Sequence, residues 1–237
     1  MTKEIEILLI IAASIAFFHT VFGPDHYLPF IIMAKTGKWS KIKTFWVTIF
    51  CGIGHVGGSV ILGIIGIATG LAISKINFIE SWRGDLAAWL LVAYGFVYFV
   101  WGLKRAYKNK PHKHIHIHED GTIHEHDHIH KKEHSHIHRE AKSKTLTPWI
   151  LFLIFGLGPC EPLIPILMYP AARNNTPGLL IVTIIFSIIT ISTMVSLVFL
   201  TLWGIYFLPF QKMERFNHAI GGAAICLTGL FIILLGL

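Results

Sequence analysis

The chain has 237 residues, of which 54% are hydrophobic and only 14% are charged, and its mean hydropathy is +0.63. These values exclude an ordinary soluble globular domain and predict a polytopic membrane protein. The net charge of +7 does not indicate nucleic-acid binding, because the Lys and Arg residues concentrate in a few connecting segments. Three cysteines without a CxxC pair predict no disulfide framework.

Long apolar runs predict six membrane-spanning helices, each with at least the roughly 20 residues that a bilayer requires. We place them at residues 5–34, 43–73, 84–105, 148–172, 178–208 and 215–237. The first run is too long, and too polar in its middle, for a cleaved signal peptide. The predicted fold class is therefore an all-α polytopic membrane protein.

An internal repeat organises these helices. The segment GPDHYLPFIIMA (23–34) resembles GPCEPLIPILMYPA (158–171), and each copy lies in the first helix of a three-helix half. Because three is an odd number of spans, the second half must be inverted in the membrane relative to the first. Proline breaks a helix, so we expect a broken first helix in both halves, as in many secondary transporters. The alternative is a chance match between two apolar segments.

The basic residues predict the orientation. Sixteen of the twenty Lys and Arg residues lie in segments 35–43, 104–144 and 212–215. With six helices, these segments follow the first, third and fifth spans and therefore lie on the same side of the membrane. The positive-inside rule assigns that side to the cytoplasm, with both termini outside, in the cell (inner) membrane. The predicted domains are a first three-helix repeat, a cytoplasmic His-rich loop and a second three-helix repeat, at residues 1–105, 106–147 and 148–237.

The stretch FFHTVFGPDHYLPF (17–30) places a carboxylate inside an apolar run. An unpaired charge costs about 2.5–3.5 kcal/mol at the centre of a membrane helix. Asp25 follows a Gly-Pro dipeptide, so we place it in the first turn of a new helical segment, where the dipole favours an anion. In a straight helix His19 and His26 would stand roughly 10 Å apart. The break would let His19 approach Asp25 and His26, and such a set can bind a first-row transition metal.

Further candidate ligands lie in the second and fourth predicted spans. His55 follows Cys51 by four residues on one helix face, and its alternative role is a hydrogen bond between helices. Cys160 is a soft ligand, or else a small apolar packing residue, and Glu161 is a second acidic residue within a span. The predicted metal ligands are His19, Asp25, His26, His55, Cys160 and Glu161.

Residues 112–138 hold eleven of the fifteen histidines, in two alternating runs that flank an Asp-Gly. This pattern predicts a β-hairpin. The alternatives are a tract that orders only on metal binding, a plain basic linker and a pH-sensing tract. The predicted metal-capturing residues are His112, His114, His116, His118, His124, His126, His128, His130, His134, His136 and His138.

These motifs resemble the nickel/cobalt transporter superfamily, in particular its efflux branch within the lysine-exporter-like group. The similar features are His19 with Asp25-His26, Gly54-His55, the Gly-x-Gly-Pro-Cys-x-Pro motif at 156–162, and the His-rich loop. The family has four residues between the first His and Asp-His, whereas five separate His19 from Asp25.

The resemblance implies a transporter that is not an enzyme and that exports divalent metal ions by alternating access with proton coupling. Its substrates would be Ni²⁺ or Co²⁺, with Zn²⁺ or Fe²⁺ as alternatives. The expected partners are metal ions, the lipid bilayer and a second copy of the chain in a homo-oligomer, with no nucleic acid.

Two other function classes remain open. The GPC motif also resembles the membrane thiol-disulfide electron transporters, which would use Cys160, although the matching position in the first half holds Asp25-His26 instead of a second cysteine. An exporter of small sulfur-containing anions would need basic residues in the middle of the membrane, and the predicted spans contain none.

Overall fold

The structure is a computed structural model of the chain that describes residues 3–70, 73–108, 112–117, 123–128, 147–206 and 216–235. The helices are α1 (Lys3–Phe22), α2 (Leu28–Thr36), α3 (Lys41–Thr69), α4 (Ile73–Lys108), α5 (Thr147–Leu157), α6 (Leu163–Ala172), α7 (Thr176–Tyr206) and α8 (Asn217–Leu235). A 3₁₀ turn (Pro24–His26) separates α1 from α2, and strands β1 (His112–Ile117) and β2 (Ile123–His128) lie between α4 and α5.

The helices α1, α3, α4, α7 and α8 are long and apolar enough to cross a membrane. The apolar helices α5 and α6 contain 11 and 10 residues, so they make up one further span only when taken together. Large side chains such as Phe22 and Trp149 are about 70% exposed, as lipid-facing residues should be (72% and 70%). The predicted all-α polytopic membrane protein is therefore confirmed.

Both predicted helix breaks are present. Gly23-Pro24 follows the end of α1, and Gly158-Pro159 follows the end of α5. Proline lacks an N–H donor and cannot continue the helical hydrogen-bond ladder. In both cases the glycine N–H donates to a carbonyl of the preceding helix, at 3.0 Å after α1 and 2.9 Å after α5. The chain therefore changes course at equivalent places in the two halves.

Helix α4 differs from the prediction, because it begins at Ile73 and not near residue 84. Polar residues lower the hydropathy of its first turns and concealed them in the sequence. The buried residues Ile76, Glu80, Ala87 and Leu91 follow one another on a single helical face that points into the bundle. Glu80 and the nearby Arg83 consequently lie inside a span, although the sequence had assigned both to a connecting segment.

The two halves pack against each other rather than standing apart. Helix α4 packs most extensively against α8, and α1 packs against α7. Glycines permit the close packing of α4 against α8. A Cβ on Gly95 would meet the backbone of Cys226, and a Cβ on Gly222 would meet that of Phe99. Small residues at such positions allow membrane helices to approach closely. The breaks in the first and second halves are thereby held in one bundle.

The predicted hairpin is present. Strands β1 and β2 are antiparallel, and their register pairs His112 with His128, His114 with His126, and His116 with His124. The predicted residues His118, His130, His134, His136 and His138 lie outside the described residues. Metal capture by this segment and the three domain boundaries stay predictions.

Candidate functional site

The 3₁₀ turn brings three histidines from two helices together. His19 lies in the last turn of α1, His26 ends the 3₁₀ turn, and His55 lies within α3. Gly23 makes this arrangement possible, because a Cβ there would collide with the His26 ring and would lie 2.9 Å from Asp25 Oδ1. The helix break is therefore the local feature that folds His26 back towards His19.

The three imidazole rings converge closely. His26 Nε2 lies 3.1 Å from His55 Nε2, and one ring nitrogen from each of the three residues lies within 4.8 Å of the others. His26 and His55 are almost fully buried, with 2% and 3% of their surface exposed. His19 Nε2 is also buried, and it has no hydrogen-bond partner among the described residues. We call these three residues the histidine cluster.

The carboxylate of Asp25 lies behind the cluster and not at its centre. The opposite ring nitrogen of His26, Nδ1, lies 3.2 Å from Asp25 Oδ1 and 3.1 Å from the carbonyl oxygen of Gly23. Asp25 therefore contacts the side of His26 that faces away from His55, and its role as a direct metal ligand stays a prediction.

A cavity of about 550 Å³ opens beside the histidine cluster. Asp25 and Glu161 also line it, together with mainly apolar residues of α1, α4 and α5. Among the described residues that line the cavity, none is a Lys or an Arg. This lining suits a cation, and it gives no support to the alternative of an anion exporter.

Cys160 lies at the second break but does not line the cavity. Its side chain is fully buried and packs in an apolar cluster with Val56 and Leu163. Its backbone N–H donates a hydrogen bond of 2.9 Å to Ser59 Oγ in α3. Of the six predicted ligands, His19, His26 and His55 are therefore brought together, while Asp25 and Glu161 lie on the cavity wall and Cys160 lies in the packed core.

A buried polar network fixes the second break. Ser59 Oγ donates to Glu80 Oε2 at 3.2 Å, and Arg83 Nη1 donates to Glu80 Oε1 at 2.7 Å. Arg83 Nη2 donates in turn to the carbonyl oxygen of Gly156 at 3.1 Å. The network thus joins α3 and α4 to both sides of the break that carries Cys160. The sequence signal that could have revealed it is the i,i+3 spacing of Glu80 and Arg83.

The other cysteines do not form a redox pair with Cys160. All three cysteines are described, and all are free thiols. Cys51 precedes Ser59 by eight residues in α3, which is roughly 12 Å along the helix axis. It packs in a different apolar cluster, with Met33 and Met194. Any thiol chemistry at Cys160 in this conformation would therefore need a second thiol from outside the chain.

The family described as "Cytochrome C biogenesis protein transmembrane region" matches residues 28–237. Neither a curated protein nor a solved structure matches the chain. The match contradicts the predicted nickel/cobalt transporter family and the predicted metal export, and it agrees better with the alternative of a membrane thiol redox protein. The resemblance depended on short motifs, and His19 and Asp25-His26 precede the matched region. The chain belongs to the family of cytochrome c biogenesis protein transmembrane regions.

Proposed function

We propose that this protein carries reducing equivalents across the membrane by thiol–disulfide exchange at Cys160. The observation that carries the proposal is the family match over residues 28–237. Haem of the c type attaches to the two cysteines of a CxxCH motif, so cytochrome c biogenesis needs these cysteines as thiols. A membrane protein that delivers electrons to the oxidised cysteines would meet this need.

The position of Cys160 supports its role as the exchanging thiol. It lies at the break between α5 and α6, and its neighbours Pro159 and Glu161 line the cavity. A rotation of this short non-helical segment would bring the thiol to the cavity without unwinding a long helix. Such interrupted helices at the centre of a membrane bundle are the elements that move in many transporters.

The exchange needs one thiol of this chain and balances in three steps. The Cys160 thiolate first attacks an acceptor disulfide, which forms a mixed disulfide and releases one acceptor thiolate. A thiol of a donor dithiol protein then attacks the Cys160 sulfur, which releases the second acceptor thiol and leaves a donor–Cys160 disulfide. The second donor thiol closes the donor disulfide and frees Cys160. Two electrons pass from donor to acceptor, and the acceptor gains two protons.

We also propose that the protein lies in the cell membrane with the β1–β2 hairpin in the cytoplasm. The concentration of Lys and Arg in segments 35–43, 104–144 and 212–215 supports this orientation. A dithiol donor would then act from the cytoplasm, where thiols are kept reduced. Labelling of single introduced cysteines in intact cells would test the orientation.

Reduction across sealed proteoliposomes tests the exchange. A peptide with a CxxC disulfide is enclosed, a reduced dithiol protein is added outside, and the thiols formed inside are measured over time. We expect the intact chain and the Cys51→Ala/Cys226→Ala double variant to reduce the enclosed peptide. We expect Cys160→Ser to fall to the rate of protein-free vesicles, and a donor protein with one cysteine should remain trapped on Cys160.

A folding control and two possible results decide whether the proposal stands. Circular dichroism and size-exclusion chromatography must show that Cys160→Ser is folded. Reduction by Cys160→Ser at the rate of the intact chain would contradict the proposal. A rate for the intact chain equal to that of empty vesicles, with a donor known to be active in solution, would contradict it as well.

A further inference from the structure

The histidine cluster has a property that thiol exchange does not use. The rings of His26 and His55 lie within hydrogen-bond distance of each other. The third ring, that of His19, has a buried nitrogen without a hydrogen-bond partner among the described residues. A hydrogen bond between helices needs only His26 and His55. A buried polar nitrogen left unpaired is destabilising, because it has lost its hydrogen bonds to water. A ligand that engages all three rings would remove this cost.

The geometry points to a binding site for one divalent first-row transition-metal ion, held by His19, His26 and His55. Metal–nitrogen bonds of 2.0–2.1 Å at tetrahedral angles place two ligating nitrogens about 3.3 Å apart. The observed separation of 3.1 Å between His26 Nε2 and His55 Nε2 is close to this value. The His19 nitrogen lies within 4.8 Å of the others, so an adjustment of at most about 1.5 Å at the end of α1 completes the set.

The surroundings of the rings also suit a metal. A ligating histidine usually gives its other ring N–H to a carboxylate or a carbonyl, which fixes the ring and strengthens the bond to the metal. Asp25 and the Gly23 carbonyl occupy this position at His26. Asp25 is therefore a positioning residue, and its charge lies close enough to offset that of the ion.

The cavity provides space for a fourth ligand of the metal ion. Three protein ligands leave the fourth tetrahedral position open, and here it would face a cavity of about 550 Å³ lined by Asp25 and Glu161. Imidazole ligands suit Zn²⁺, Cu²⁺, Ni²⁺ and Fe²⁺, so the ligand class is a borderline transition metal and not Mg²⁺ or Ca²⁺. The inference concerns an ion bound at this place, and it depends neither on Cys160 nor on passage of the ion through the membrane.

Cobalt titration of the purified full chain tests the site. The eleven histidines of residues 112–138 are replaced by Asn in every sample, so that they contribute no metal. Tetrahedral Co²⁺ gives an intense visible absorption, and we expect one such ion per chain, displaced by Zn²⁺. His19→Gln and His55→Gln should each weaken Co²⁺ binding at least tenfold. His218→Gln is the matched control, because His218 bonds to Tyr98 in another part of the bundle.

Two further variants distinguish the metal ligands from Asp25 and from Cys160. Asp25→Asn should weaken binding about 10–100-fold but keep the tetrahedral spectrum, as expected for a residue outside the ligand set. Cys160→Ser should bind Co²⁺ as the parent does, which keeps this result independent of the redox proposal. X-ray absorption on the folded parent should show three imidazoles at about 2.0–2.1 Å. Absence of this signature, or equal Co²⁺ binding by His55→Gln and the parent, would overturn the inference.

Discussion

The Glu80–Arg83 pair gives the sharpest test of how this bundle is held together, and the test is the variant Arg83→Met. The carboxylate of Glu80 is 1% exposed, and Arg83 is its cationic partner at 2.7 Å. Removal of one partner of a buried pair leaves an uncompensated charge and costs about 3–5 kcal/mol. For a chain of this size, 1 kcal/mol corresponds to roughly 2–4 °C in the melting temperature. We therefore expect a fall on the order of 10 °C.

A double-mutant cycle shows whether the charge pair is the cause. Glu80→Gln combined with Arg83→Met leaves no buried charge, so the double variant should be more stable than Arg83→Met alone. The coupling free energy should lie within the range of about 0.5–3 kcal/mol that contacting residues show. Arg105→Met is a control on the same helix, because Arg105 lies 5.4 Å over the Trp101 ring in an exposed position. Its loss should cost no more than about 1 kcal/mol.

The assay is thermal unfolding of the purified protein in one detergent, followed by circular dichroism at a fixed protein concentration. The reasoning is refuted if Arg83→Met melts within 2 °C of the parent, a threshold taken from about 1 kcal/mol. It is refuted equally if the double variant is no more stable than Arg83→Met. Either result would mean that Glu80 is not charged in the folded bundle or that water reaches it.

Three further substitutions and one control variant test the helix breaks and the packing. Gly23→Val should push the neighbouring histidine ring aside and weaken Co²⁺ binding at least tenfold, with helicity unchanged by circular dichroism. Gly222→Ala should cost about 1–3 kcal/mol because the added Cβ meets backbone, whereas Gly57→Ala, whose Cβ meets nothing within 4 Å, should stay within about 0.5 kcal/mol in the same thermal assay. Ser59→Ala removes the anchor of the second break and should speed maleimide labelling of Cys160 several-fold, and an unchanged rate would show that the anchor does not restrain the thiol.

The fold was largely predictable because its signals are local. Long apolar runs specify spans, Gly-Pro breaks a helix wherever it occurs, and alternation around Asp-Gly specifies a hairpin. The approach of His19 to His26 also followed from the break. These features depend on chain segments of a few residues and on the requirement that backbone groups in a membrane be hydrogen-bonded.

The errors arose where tertiary contacts decide the outcome. The polar first turns of α4 are helical because Glu80 finds Ser59 and Arg83, and hydropathy averaged along the chain contains no such information. Tertiary contacts also decide which nitrogen of His26 faces Asp25 and which residues surround Cys160, so the sequence alone does not specify either. Short motifs of His, Asp and Cys indicated a local set of side chains, but they did not identify the family.

The two helix breaks show how one repeated element can serve two kinds of chemistry. Asp25-His26 and Cys160-Glu161 occupy equivalent positions after Gly-Pro, and the second member of each pair, His26 or Glu161, lines the cavity. The first members differ, because Asp25 also lines the cavity whereas Cys160 does not. At the first break His26 contacts His55, and at the second break the acidic residue lines the cavity while the thiol is packed. The difference follows from the partners in α3, where His55 meets the first break and Ser59 holds the second. These residues are four apart on one face of α3, so any shift of this helix must act on both breaks together. Binding of a metal ion at His55 and exposure of the thiol beside Ser59 would consequently be coupled through a single helix, even though no ligand is shared between them.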